Sequence, residues 1–274
     1  MEKTSEWELE SEGRIIRKFT QDNKEHTIIL DTDGNEIIDL TDKYDDCDHV
    51  FYSGRLKVKT YKTEIGGRQL LGRERFVGYV DLDGNEIIPP KFIDGERFLC
   101  GRAVVEICDW QKLRSEGNKL VTKNERCGII DENGNTVVPF IYRSIDFLYG
   151  FRCSCCSHKP DINNSAEALY IVREMGKNGK EGIINGNGEW ILEPKFPKYS
   201  IRTDKDGKFM ARKCLIVQTA GRFNKKRAKQ RFGVYSLEKN DWVIEPMKLP
   251  LGDFYIKWGY FYDALKKGDK LMGE

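Results

Sequence analysis

One segment recurs along this chain at a fixed spacing, and a repeat of fixed period constrains the architecture more than any single residue can. Asp31-Thr32-Asp33-Gly34-Asn35-Glu36-Ile37-Ile38 returns as Asp81-Leu82-Asp83-Gly84-Asn85-Glu86-Ile87-Ile88-Pro89. It returns again as Asp131-Glu132-Asn133-Gly134-Asn135-Thr136-Val137-Val138-Pro139. Looser copies follow at Asn185–Pro194 and Glu238–Pro246. The turn glycines at 34, 84, 134 and 188 stand 50, 50 and 54 residues apart, and a fifth unit lies about 51 further on, counting from Gly182 to Gly233.

Each copy has the chemistry of a hairpin. Runs such as Gly78-Tyr79-Val80-Asp81 and Glu86-Ile87-Ile88-Pro89 are rich in aromatic and β-branched residues, which suit strands. Between them sits Asp-Gly or Asn-Gly, the residues that tolerate the positive φ of a tight turn. Proline at the end of the second strand removes a donor and is expected to stop the ladder there. A third strand follows about ten residues later: Gly54–Lys59, Gly101–Ile107 and Phe209–Val217 are examples. The expectation is an all-β repeat array of about five three-stranded antiparallel units, near 28–76, 77–126, 127–180, 181–231 and 232–262. Together they make a repeat domain over 1–262, with residues 263–274 as a C-terminal cap or tail. Such units bury their faces against neighbours. They form either an open curved array or a propeller-like ring; three strands per unit, where a propeller blade has four, favours the open form.

The pattern Gly-Tyr-Val-Asp, Asp-Gly-Asn, Ile-Ile-Pro-Pro-Lys-Phe, Phe-x-x-Gly-Arg-Ala-Val-Val resembles the bacterial WG (KWG) repeat family, over about residues 14–260. The tryptophan of the family's Trp-Gly is replaced in the regular units, which read Val77-Gly78, Cys127-Gly128, Glu181-Gly182 and Phe232-Gly233. Only Trp258-Gly259 keeps the literal motif. The resemblance implies repeat architecture and an interaction role, and it carries no common catalytic site.

Charge is where the sequence speaks to function. The whole chain has a net charge of only +2, which by itself points to no class of partner. The connections between third strand and next first strand, near 62–75, 109–126, 176–180 and 219–231, carry net +12 between them, so the remainder is acidic. Arg222, Lys225, Lys226, Arg227, Lys229 and Arg231 form the densest run, and Arg73, Arg75, Lys119 and Lys123 stand out on the earlier tips. Repeat proteins collect insertions on one edge, often the binding edge. The leading expectation is a non-enzymatic scaffold or adaptor that holds an acidic protein surface. The alternatives are a nucleic-acid or other polyanion module, for which Phe223 and Trp110 are the only candidate stacking residues among the cations, and a small-ligand-binding repeat protein. Exposed hairpin tips are also charged simply to stay solvated.

Other constellations point less far. Cys153, Cys155, Cys156 and His158 could ligate zinc, but their spacing is not that of two separated ligand pairs. No phosphate loop or nucleophile elbow is present, so no catalysis and no cofactor are expected. The aspartates at 31, 81 and 131 are expected to bond backbone amides of their own turns, with calcium a weaker alternative. Met1–Glu12 is acidic and polar with no apolar core, and no apolar run approaches the roughly 20 residues of a membrane span. A cytoplasmic location with reduced thiols is expected.

Overall fold

A computed structural model of the protein describes residues 6–21, 23–148, 165–197, 201–202, 214–220 and 231–248. Tertiary contacts divide the chain into two units, Met1–Ile141 and Tyr142–Glu274. The fold is all-β, built from consecutive groups of antiparallel strands. The first group is β1 (Glu6–Ser11), β2 (Arg14–Gln21), β3 (Lys24–Leu30) and β4 (Glu36–Asp39), in that spatial order. The second is β5 (Asp46–Cys47), β6 (Leu56–Ile65), β7 (Arg68–Val80) and β8 (Glu86–Phe92). The third is β9 (Asp94–Gly95), β10 (Arg102–Leu113), β11 (Lys119–Asp131) and β12 (Thr136–Phe147). In the second unit the last residues of β12 pair with β13 (Leu169–Glu174), followed by β14 (Lys180–Asn185) and β15 (Trp190–Pro197). The last group there is β16 (Ile201–Arg202), β17 (Cys214–Ala220), β18 (Arg231–Ser236) and β19 (Asp241–Lys248).

The three strands expected per repeat are there, and a fourth precedes them, only two residues long in β5, β9 and β16, too few for any alternation to be read from sequence. Four strands per group remove the reason for preferring an open array to a ring. A unit counted from residue 77 begins inside β7, whereas the group that holds β7 begins at Asp46; the two schemes differ in phase.

The repeated Asp-x-Asp/Asn-Gly-Asn is a closed hydrogen-bonded turn. Asp81 Oδ1 accepts from the backbone N–H of Asp83 (2.9 Å) and of Asn85 (2.8 Å), and Asn85 Nδ2 donates to Asp81 Oδ2 (3.0 Å). Asp31 and Asp131 repeat the arrangement, and Asn185 does so through its amide oxygen. Gly84 supplies the positive φ of the turn (76°).

The proline after the second hairpin strand does not end the ladder. β8 runs on through Pro89 and Pro90 to Phe92, and the register slips between Val77↔Phe92 and Tyr79↔Ile88. The prolines lie in this bulge, where no ladder N–H is required. The bulge passes over Gly78: a Cβ there would lie 2.5 Å from the Ile88 carbonyl oxygen and 2.6 Å from the Pro90 nitrogen. Gly128, Gly182 and Gly233 meet the corresponding carbonyls of Val138, Leu192 and Ile244, and each also faces an aromatic ring, of Phe140, Trp190 or Trp242.

Successive groups are joined by one repeated device in the first unit. Arg14 Nε donates to the Leu82 carbonyl (3.2 Å) and its Nη2 pairs with Asp83 (2.8 Å), so a residue of β2 holds the turn of the next group. Arg55 does the same to the Glu132 carbonyl (2.9 Å). The apolar half of each joint is a turn glycine over an isoleucine of the previous group, Gly84 on Ile38 and Gly134 on Ile88. Beneath lie two cores. One gathers Ile16, Ile29, Leu40, Phe51, Leu56 and Val80 from the first two groups, and the other Val77, Tyr79, Ile88, Phe98, Val105 and Ile130 from the second and third. The second unit has its own core around Ile171, Ile183, Leu192, Val217 and Tyr235.

Candidate functional site: two joined hairpin tips

β6–β7 and β10–β11 run well past the body of their groups. The first hairpin closes on Gly66-Gly67, both at positive φ (54° and 73°), and the second on a short turn at Arg114–Glu116 followed by Gly117 and Asn118 (68° and 63°). The extensions do not project separately. Leu70 of β7 lies beside Leu120 of β11 in a parallel bridge. Leu70, Phe76 and Leu120 are each 3–4% exposed and form a small core with Ile65, Ile93 and Trp110 around it. Trp110, offered by the sequence as a stacking residue, packs instead against Phe76 with centroids 6.1 Å apart.

The cations on these tips fall into two sets. Arg73 pairs with Asp45 (2.6 Å) and lies over Tyr61; Arg75 pairs with Asp94 (2.8 Å) and Arg126 with Asp109 (2.8 Å). Lys62 reaches the Pro90 carbonyl and covers Phe76. Arg73 and Arg75, two of the expected partner-binding residues, are thus balanced by aspartates of the same unit. Arg68, Lys112, Arg114, Lys119 and Lys123 are exposed and have no side-chain partner among the described residues. The register Leu113↔Lys119 and Asp109↔Lys123 puts Lys119 and Lys123 on one face of the hairpin, opposite the face of Leu120. In the second unit Arg231 is the exposed first residue of β18, while Arg222, Lys225, Lys226, Arg227, Lys229 and Phe223 lie outside the described residues. So do Cys153, Cys155, Cys156 and His158. Among the described residues no group of three His, Cys, Asp or Glu is placed to hold a metal ion, and no helix is long and apolar enough to cross a membrane.

A second charged cluster, absent from the sequence reading, surrounds strand β5. Asp46 takes Lys59 (2.6 Å) and Lys18 (3.1 Å). Asp48, 6% exposed, takes Arg97 (2.7 Å), with Lys57 and Lys59 at 3.8 and 3.9 Å. Lys18 is 4% exposed and also donates to the Cys47 carbonyl (2.6 Å). His49 lies against Trp7 at 4.5 Å, and its pKa is lowered from 6.5 by desolvation first and by Lys18 next. The residues come from positions 18 to 97 and are brought together by strand pairing. The one signal available in the sequence was an aspartate repeated in the first strand of the group, at 46, 94 and 146.

In the second unit Glu181 stands at the position before the repeat glycine and is fully buried. It accepts from Arg173 Nε (2.6 Å) and the Ile201 backbone N–H (2.7 Å), and Arg173 also pairs with Asp146. Burial works against the charge of Arg173, and Asp146 and Glu181 outweigh it, so its pKa is raised.

A model of the WG containing repeat matches residues 78–107, 128–151 and 182–213 of the chain. Each match begins at the glycine that the bulge passes over. None of the curated proteins matches the chain.

Proposed function

We propose that the chain, a WG-repeat protein, is a non-enzymatic binding scaffold of the cytoplasm that takes an acidic surface of a partner protein on its joined hairpin tips. The observation that carries this is the platform itself. Two tips share a buried core, and Arg68, Lys112, Arg114, Lys119 and Lys123 stand on them without internal partners. Cations on a fixed platform steer an acidic partner and set its orientation. Stacking on nucleic-acid bases requires exposed aromatics, whereas Trp110 is turned into the tip core and Tyr61 lies beneath Arg73. The repeated aspartates use their oxygens on their own turns, which supports a structural role for them. The burial of Cys47, which forms no disulfide, fits a reducing compartment.

The test is capture of partners from a nuclease-treated lysate by the full chain, compared with a Lys112→Glu, Arg114→Glu, Lys119→Glu, Lys123→Glu variant of unchanged circular dichroism. The expected result is a protein that survives nuclease, is released by salt as exposed charges are screened beyond about 8–10 Å, and is lost from the variant. A second variant, Lys225→Glu, Lys226→Glu, Arg227→Glu, Lys229→Glu, extends the test to the last tip. Retention of every partner by both variants refutes the proposal, and partners that vanish with nuclease point to nucleic acid.

A further inference from the structure

The cluster around Asp46 and Asp48 is unbalanced. Lys18, Lys57, Lys59 and Arg97 converge on two carboxylates. Among the described residues, the only other anion that an ion pair brings to it is Glu25, which touches Lys18 at 3.3 Å from a largely exposed position. Charges so placed are normally matched, because burial without a counter-charge is costly. The donors are unmatched too. Lys57 makes one hydrogen bond, to the Gly95 carbonyl (3.1 Å), and Lys59 one, to Asp46, although an ammonium carries three donors. Arg97 uses Nε on Asp48 and Nη1 on the Tyr52 hydroxyl, leaving Nη2 without a partner. The side chains are held rather than dangling: Asp48 fixes Arg97, and Tyr52 lies against the guanidinium at 5.1 Å. Lys57, Lys59 and Arg97 each keep part of their side-chain surface exposed, so their unmatched donors can be reached from solvent.

We propose that this cluster binds a small phosphate-type oxyanion, either inorganic phosphate or the phosphoryl group of a phosphomonoester. A tetrahedral oxyanion supplies the negative charge that Asp46, Asp48 and the exposed Glu25 leave lacking against four cations. Its oxygens accept from the remaining Nη donors of a fixed guanidinium and from two ammonium groups, a donor set that suits phosphate. Asp46 and Asp48 hold the cations in place and restrict the ligand to the Lys57, Lys59 and Arg97 side. The site is separate from the hairpin tips, so it stands or falls independently of the scaffold reading.

The experiment is calorimetric titration of the full chain with inorganic phosphate at constant ionic strength, with chloride as the reference. One phosphate per chain is expected, bound at least about tenfold more weakly by Lys57→Gln and by Arg97→Gln, each checked for fold by circular dichroism. Lys59→Gln replaces Arg97→Gln should the latter unfold. Lys119→Gln with Lys123→Gln on the tips should leave the affinity unchanged. Titration with O-phosphoserine identifies the source: uptake of both ligands supports a phosphoryl group, and uptake of phosphate alone supports the free ion. No heat above the chloride reference, or phosphate binding that the tip variant loses and the cluster variants keep, overturns the proposal.

Discussion

Gly78→Ala measures how tightly the bulge closes on the repeat glycine. The added methyl would sit 2.5 Å from the Ile88 oxygen, 2.6 Å from the Pro90 nitrogen and 2.8 Å from the Pro89 carbonyl carbon. All three are backbone atoms, so no rotamer change relieves the contact; strand β8 itself must move. Overpacking of this kind costs about 1–3 kcal/mol, and a contact made entirely with backbone belongs at the top of that range. Replacing glycine lowers the entropy of the unfolded chain and returns about 0.4–1 kcal/mol, leaving a net loss of about 2 kcal/mol. For a domain of this size that lowers the thermal midpoint by about 4–8 °C. Gly72→Ala is the matched control, because its Cβ would meet nothing closer than Glu74 Oε1 at 3.9 Å. Thermal and urea unfolding followed by far-ultraviolet circular dichroism should show Gly78→Ala shifted and Gly72→Ala within about 0.5 kcal/mol of the parent. A Gly78→Ala protein that melts with the control would refute the claim that a close backbone approach fixes glycine at this position.

Three further outcomes follow from the same structure. In Asp31, the Asn35 amide, with backbone N–H donors, holds the pKa below 3.8; in Asp81 and Asp131 burial pushes upward and the corresponding bonds outweigh it. Groups depressed in the folded state stabilise it above their unfolded pKa and cease to do so as pH falls through the folded value. The triple variant Asp31→Asn, Asp81→Asn, Asp131→Asn should therefore fold normally at pH 7, as Asn185 shows its turn can be built, and lose less stability than the parent below pH 3.8 in urea titrations. Glu181→Ala leaves Arg173 buried with Asp146 as its remaining acid and should cost about 3–5 kcal/mol, read from denaturant unfolding of the second unit. Burial pushes the Cys47 thiol up to about 12, so at pH 8 a thiol reagent should leave it unlabelled in the folded chain and label it in urea, as resolved by peptide mapping.

What was legible in the sequence was whatever is settled within a few residues. The Asp-x-Asp-Gly-Asn turn closes through bonds to donors two and four positions on, so its role could be deduced from residue type and spacing. Proline is not legible in the same way, because its meaning depends on the partner strand: beside Gly78 it occupies a bulge, and the pairing of Val77 with Phe92 beyond it has no local signature. The tip charges show the same division. Their existence was plain, but Arg73–Asp45 and Arg75–Asp94 join residues 28 and 19 positions apart, and only strand register decides that these cations are matched while Lys119 and Lys123 are not. The cluster at Asp46 and Asp48 is less local still, since Lys18 and Arg97 reach it from different groups.

The same reasoning explains why the second to fifth repeats keep a glycine, at 78, 128, 182 and 233, yet vary the residue before it; the first repeat has Ile28 at the glycine position and lacks the proline of the bulge. In each of these four copies the glycine faces a main-chain carbonyl of the bulge, of Ile88, Val138, Leu192 or Ile244, which cannot be exchanged by mutation. The preceding side chain faces other side chains, which can. Val77 lies in the apolar core of its group, and Phe232 and Cys127 are buried in theirs. Glu181 is accommodated because Arg173, Asp146 and the Ile201 amide meet it with charge and hydrogen bonds. A tryptophan introduced at 181 would therefore confront a buried guanidinium that has lost an acid, and only a simultaneous apolar replacement of Arg173 would make the position aromatic again. The residue that the repeat tolerates is set by its neighbours in space, and the residue that it cannot change is set by the backbone.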